Sequence, residues 1–174
     1  MSSIKYDLRK IKAFVFDVDG VLSREVVSLY PSGEPMRTIS TKDGYALHLA
    51  ARKGFRLGII TSGRSEAVRL RFTALGVQHI YMPSMQKVSD FDDFVRTTGL
   101  SNEEILYAGD DIPDYQTMLR AGLAVAPADA VPEIKGIAGY ISHCKGGEGV
   151  ARDVIEQTLK AQGRWMCDDS DFNW

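Results

Sequence analysis

Short apolar runs, each ending in small, hydroxyl or acidic residues, alternate along this chain with segments whose apolar positions recur every three to four residues. Lys12-Ala13-Phe14-Val15-Phe16 is the first such run, and its aromatic and β-branched content predicts a buried strand over 12–16. Further strands are expected at 56–60, 77–81, 105–108 and 123–126, with a last apolar piece near Gly139-Tyr140-Ile141. Helical spacing fills the intervals. One helix runs over 44–53, capped by Asp43 and closed by Gly54, and another from about 65 to 75, closed by Gly76. A third opens at Lys87, shows an apolar face of Val88, Phe91, Phe94 and Val95, and ends at Gly99. Ser101-Asn102-Glu103-Glu104 reads as a capping box before a short turn, and the last helices cover about 115–121 and 149–161. Repeated β-α units with short links imply an α/β fold whose parallel sheet is doubly wound, with helices on both faces. The segment 24–40 breaks this rhythm. Its two β-prone stretches flank Pro31-Ser32-Gly33-Glu34-Pro35 and predict a β-hairpin insertion.

At 174 residues the chain is long enough for one sizeable core and short for two, so 1–174 reads as a single domain. Apolar residues make up 44 % and charged residues 25 %, and the net charge is −2; no basic field favours nucleic acid or an anionic membrane. No stretch approaches the roughly 18 apolar residues of a membrane span, and the N-terminus lacks the apolar core of a signal peptide. Cys144 and Cys167 are not spaced as a metal motif and read as free thiols in a reducing cytoplasm. The tail, about 163–174, with Asp168, Asp169 and Asp171, reads as solvated.

Candidate chemistry gathers where the runs end. Asp17 and Asp19 stand just past the first strand, where side chains alternate, so both point one way while Val18 points back into the protein. The C-terminal edge of a parallel sheet is where open α/β folds bind ligands. Two carboxylates this close resist joint ionisation unless a cation or shared proton relieves them, which suits a magnesium site with one nucleophilic and one proton-carrying carboxylate. A solvated turn after a strand has the same local pattern, and the rest of the chain decides between them. Ile59-Ile60 leads into Thr61-Ser62-Gly63-Arg64, Lys87 stands apart, and Tyr107-Ala108 leads into Gly109-Asp110-Asp111-Ile112-Pro113-Asp114.

This ordered set, from Asp17 to Asp114, resembles the four motifs of the haloacid dehalogenase-like phosphohydrolases: D-x-D-G, a Ser or Thr after a strand, a Lys, and G-D-D-x-x-D. The resemblance implies a Rossmann-like sheet and a magnesium-dependent phosphomonoesterase. Asp17 would be the nucleophile and Asp19 the general acid and base. Thr61 would bind a phosphoryl oxygen with its hydroxyl and Ser62 with its amide; ending the strand one residue later would make Ser62 the motif hydroxyl instead. Lys87 would offset charge. Asp110 would ligate magnesium with Asp17 and the Val18 carbonyl, with Asp19 in the same acidic set and Asp111 completing the shell directly or through water. Asp114 would orient Lys87 or a metal-bound water.

Members of that superfamily often carry a cap domain, whereas here the insertion before Thr41 is only a hairpin and no cap domain fits between Gly63 and Lys87. D-V-D-G-V-L-S, T-K-D-G-Y, T-A-L-G-V, Y-A-G-D-D-I-P-D and G-G-E-G-V-A-R-D-V-I-E together are similar to the 3-deoxy-D-manno-octulosonate 8-phosphate phosphatases. That likeness implies a phosphorylated sugar acid as substrate, a role in lipopolysaccharide synthesis, and a homotetramer built through the hairpins. A phosphatase for nine-carbon 2-keto acid 9-phosphates and a catalytically silent binding homologue are the alternatives. The substrate's carboxylate calls for a cation: Arg64, Lys42 and Arg37 are the candidates, with Gly63 and Asp43 nearby. Arg64 is equally readable as the partner of a nearby acid. The family commonly reads T-G-R or S-G-R where this chain has Thr61-Ser62-Gly63-Arg64, which leaves the alignment of Arg64 open.

Overall fold

The computed structural model describes residues 4–174, so residues 1–3 of the N-terminal segment read above for a leader lie outside the described residues. Six strands form one parallel sheet: β1 (Ala13–Phe16), β4 (Arg56–Ile60), β5 (His79–Tyr81), β6 (Ile105–Ala108), β7 (Leu123–Ala126) and β8 (Tyr140–Ile141), in the order β5-β4-β1-β6-β7-β8. Two more, β2 (Ser28–Leu29) and β3 (Pro35–Met36), pair antiparallel as the expected hairpin, shorter than its apolar content suggested.

Period-two alternation in the central strands divides the core. Phe14, Phe16, Leu57, Ile59, Leu106 and Val125 pack on one face with α1 (Thr41–Arg52), α2 (Glu66–Ala74) and α6 (Val150–Ala161). Val15, Tyr107 and Ala124 face the other way, onto Phe91 and Phe94 of α3 (Lys87–Thr98) and onto α4 (Tyr115–Met118) and α5 (Pro132–Ile137). Strands covered on both faces read as continuous apolar runs, which is why β1, β6 and β7 are buried throughout. The chain leaves β1 for β4 on one side and later crosses to β6 on the other. This reversal opens a crevice at the carboxyl ends of β1 and β6.

Three expectations need correction. Ser40, not Asp43, caps α1: its hydroxyl accepts the Asp43 N–H at 3.3 Å, and the helix starts at Thr41. The helix expected over 115–121 is shortened to α4, Tyr115–Met118, and is preceded by a 3-10 turn at Ile112–Asp114. The tail is solvated at Asp168 and Asp169, as expected, but docked at Asp171. Asp171 is buried 2.7 Å from Lys53, the Tyr45 hydroxyl donates to the Asp171 carbonyl, and the Arg152 guanidinium lies 4.6 Å from the Trp165 ring centre. Apolar and cationic surface on α1 and α6 thus holds the last turn, Asp169–Phe172.

Candidate active site

Asp17 is the first residue beyond β1. Its N–H donates to the Ala108 carbonyl at 3.0 Å, so the ladder with β6 continues past the strand end and fixes the side chain over the crevice. Oδ1 accepts the Val18 N–H at 2.7 Å, and Oδ2 lies 2.8 Å from Lys87 Nζ. Lys87 opens α3 and is buried; the same ammonium donates to Asp114 Oδ1 at 2.8 Å. Asp114 also accepts the Tyr107 hydroxyl at 2.7 Å and the Asp110 N–H at 3.2 Å. Two glycines permit this closeness. A Cβ on Gly20, at φ 82°, would stand 1.9 Å from Asp110 Oδ2, and one on Gly109 would stand 2.4 Å from Asp114 Cβ.

One oxygen from each of Asp17, Asp110 and Asp114 lies within 4.8 Å of the others. Burial, then the Asp114 charge, pushes Asp17 up to about 7, against the pull of Lys87. Burial, then Asp17 and Asp114, pushes Asp110 up to about 8. Burial alone would lower Lys87, but the Asp17 and Asp114 charges outweigh it and hold the ammonium above its ordinary value. Three carboxylates share one ammonium, and the excess negative charge is what a divalent cation relieves. The donors are hard oxygens, so the residues fit magnesium, with Asp17 and Asp110 as the side chains that would hold it.

Asp19 stands outside this cluster. Arg37, at the base of the hairpin, donates from Nε to Asp19 Oδ1 at 2.7 Å and from Nη2 to Oδ2 at 2.8 Å. Thr61, directly after β4, is buried with its hydroxyl accepting the Gly63 N–H at 3.3 Å; Ser62 is exposed and lines a cavity of about 660 Å³ together with Lys87 and Pro113. A second groove of about 640 Å³ runs between the hairpin and α2, past Arg37, Ser65 and Arg71.

Several expected site residues are elsewhere. The Val18 carbonyl is no metal ligand, because it accepts N–H groups from Val21, Leu22 and Ser23 at 3.2, 2.9 and 2.7 Å. Asp111 is exposed and caps its own turn by accepting the Ile112 N–H at 2.8 Å; the turn instead carries Asp114 inward. Asp43 is buried against α6, accepting the Arg152 N–H at 2.7 Å, so it is not a substrate contact. Lys42 opens onto a different groove, lined by His143, Cys144 and Arg152. Arg64 is exposed and makes no ion pair among the described residues. Sequence reasoning missed Tyr107, and nothing in its strand context separates it from an ordinary core tyrosine.

The profile of the haloacid dehalogenase-like hydrolases matches residues 64–154. The 3-deoxy-D-manno-octulosonate 8-phosphate phosphatase of Salmonella typhi is 34 % identical over 154 residues, 88 % of this chain and 82 % of that protein. The corresponding phosphatase structure from Yersinia pestis superposes with a TM-score of 0.87 at 31 % identity, covering 91 % of this chain and 85 % of that one. The Moraxella catarrhalis phosphatase, in complex with magnesium ion, phosphate ion and a KDO molecule, superposes with a TM-score of 0.89 at 29 % identity, covering 96 % of each chain. With Asp17, Asp110, Asp114 and Lys87 assembled at one crevice, the chain belongs to the haloacid dehalogenase-like hydrolases, in the family of the 3-deoxy-D-manno-octulosonate 8-phosphate phosphatases.

Proposed function

We propose that this chain hydrolyses 3-deoxy-D-manno-octulosonate 8-phosphate to the free sugar acid and phosphate, a step of lipopolysaccharide synthesis. The observation that carries this reading is the set of buried Asp17, Lys87 and Asp114 with half-buried Asp110 at the crevice between β1 and β6. The relatives, which share this fold and up to 34 % of its sequence, supply the substrate.

Magnesium held by Asp17 and Asp110 would offset negative charge at the nucleophile and the phosphoryl group. The protein's own groups do the rest. An Asp17 oxygen forms a bond to phosphorus as the ester P–O bond breaks, and Asp19 gives a proton to the departing alkoxide. Water then attacks phosphorus, Asp19 takes the water's proton, and the Asp17–phosphorus bond breaks to release phosphate. Lys87, fixed by Asp114 and through it by Tyr107, stays against Asp17 through both halves. Thr61, buried at the end of β4, offers its hydroxyl to a phosphoryl oxygen.

The hairpin is the one insertion between β1 and α1, and only α2 lies between β4 and β5, so no inserted domain covers the crevice. We infer that one catalytic domain, working in the cytoplasm, self-associates as a homotetramer through its hairpins. Val26, two residues before β2, is 81 % exposed and Leu29, within it, 64 %, and the hairpin's strands of two residues are too short to be stable alone. Light scattering at micromolar concentration returning a monomer mass would overturn the assembly.

The function is tested by phosphate release from the eight-carbon substrate, a nine-carbon 2-keto acid 9-phosphate and a phosphopeptide, each with magnesium and with EDTA. The reading requires EDTA to abolish release, and kcat/KM at least tenfold higher for the eight-carbon ester, about 1.4 kcal/mol of discrimination. Equal rates would remove the substrate assignment.

A further inference from the structure

Arg37 holds a position that the four motifs do not explain. Its side chain is 6 % exposed, although it leaves a solvent-facing hairpin, and two of its three guanidinium nitrogens are engaged by Asp19. The third, Nη1, is buried with no hydrogen-bond partner among the described residues. An unpaired buried donor costs about 1–3 kcal/mol, and a charged one more, so such a group ordinarily signals a partner that arrives from outside.

The surroundings say what kind. Gly63 lies so near that a Cβ there would come within 2.5 Å of Arg37 Nη2, so absence of a side chain at 63 is what admits the guanidinium beside Asp19. Arg37 also lines the groove of about 640 Å³ between the hairpin and α2, with Tyr30, Ser65 and Arg71. Arg71 is exposed and forms no ion pair among the described residues. Glu34 lines the same groove and raises the Arg37 pKa less than Asp19 does. A planar fork with a free edge, a second arginine and a hydroxyl suit a carboxylate on a polyhydroxylated ligand.

Building on the proposed function, we propose that Arg37 is a positioning residue that bridges Asp19 and the carboxylate of the sugar-acid substrate. Nε and Nη2 aim Asp19 at the leaving oxygen, and Nη1 receives the substrate carboxylate, so the far end of the substrate is registered against the acid that serves its phosphate end. Sugar phosphates without a carboxylate leave Nη1 unpaired and bind less well.

The test compares kcat and KM for 3-deoxy-D-manno-octulosonate 8-phosphate and for arabinose 5-phosphate, which lacks the carboxylate, in wild type, Arg37→Met and Arg37→Lys. Arg37→Met is expected to lower kcat for both esters and to raise KM for the sugar acid at least tenfold more than for the pentose phosphate. Arg37→Lys keeps a cation beside Asp19, covers the case in which the methionine variant does not fold, and should recover part of the loss. Equal losses on both esters in a folded variant would overturn this proposal while leaving the phosphatase reading intact. Release of phosphate from neither ester by wild type would overturn both.

Discussion

Lys87 Nζ stands 2.8 Å from Asp17 Oδ2, and both side chains are at least 90 % buried. The ion pair joins the start of α3 to the end of β1, so it ties folding of the crevice to its chemistry. Lys87→Met removes the ammonium and leaves Asp17, Asp110 and Asp114 facing one another. We expect a loss of about 3–5 kcal/mol of unfolding free energy at pH 8, together with a fall in kcat of at least about 100-fold. Urea denaturation and steady-state kinetics on the same preparation check both.

Magnesium dependence carries a pH signature. Asp17 and Asp110 have folded-state values raised to about 7 and about 8 from 3.8, so the metal-free folded protein binds more protons than the unfolded chain between about pH 4 and 8. Stability therefore falls as pH rises through that window. Magnesium binds the deprotonated pair, so its stabilisation runs the other way. Thermal unfolding with and without magnesium should show a larger increase in Tm at pH 8 than at pH 5.5. An increase that is the same at both values would remove Asp17 and Asp110 as the ligands.

Asp43 is expected to matter for the fold and not for the chemistry. Its carboxylate, pushed up to about 6 by burial, accepts the Arg152 N–H in the first turn of α6. Asp43→Ala should cost about 1–3 kcal/mol through the lost helix-end acceptor, with kcat/KM of the folded enzyme within about twofold of wild type. Calorimetry and kinetics separate the two effects.

Much of this was legible in the chain. Strands buried on both faces announce themselves as unbroken apolar runs, and the residues ending β1, β4 and β6 therefore fell at the sheet edge where chemistry was expected. What the sequence hid is which way groups turn within a loop. Spacing cannot tell that the 3-10 turn at Ile112–Asp114 brings Asp114 inward and leaves Asp111 outside, nor that the Val18 carbonyl closes a turn on three N–H groups. Pairings across long separations were equally hidden. Arg37 with Asp19, Tyr107 with Asp114 and Lys53 with Asp171 depend on the packing of whole elements, not on local pattern.

The central claim is that Asp17 is the nucleophile, and the most direct measurement is phosphate release from 3-deoxy-D-manno-octulosonate 8-phosphate by Asp17→Asn with saturating magnesium. The substitution is nearly isosteric, so circular dichroism should match wild type while turnover falls below about one part in a thousand. Turnover within tenfold of wild type in a folded Asp17→Asn enzyme would contradict the account.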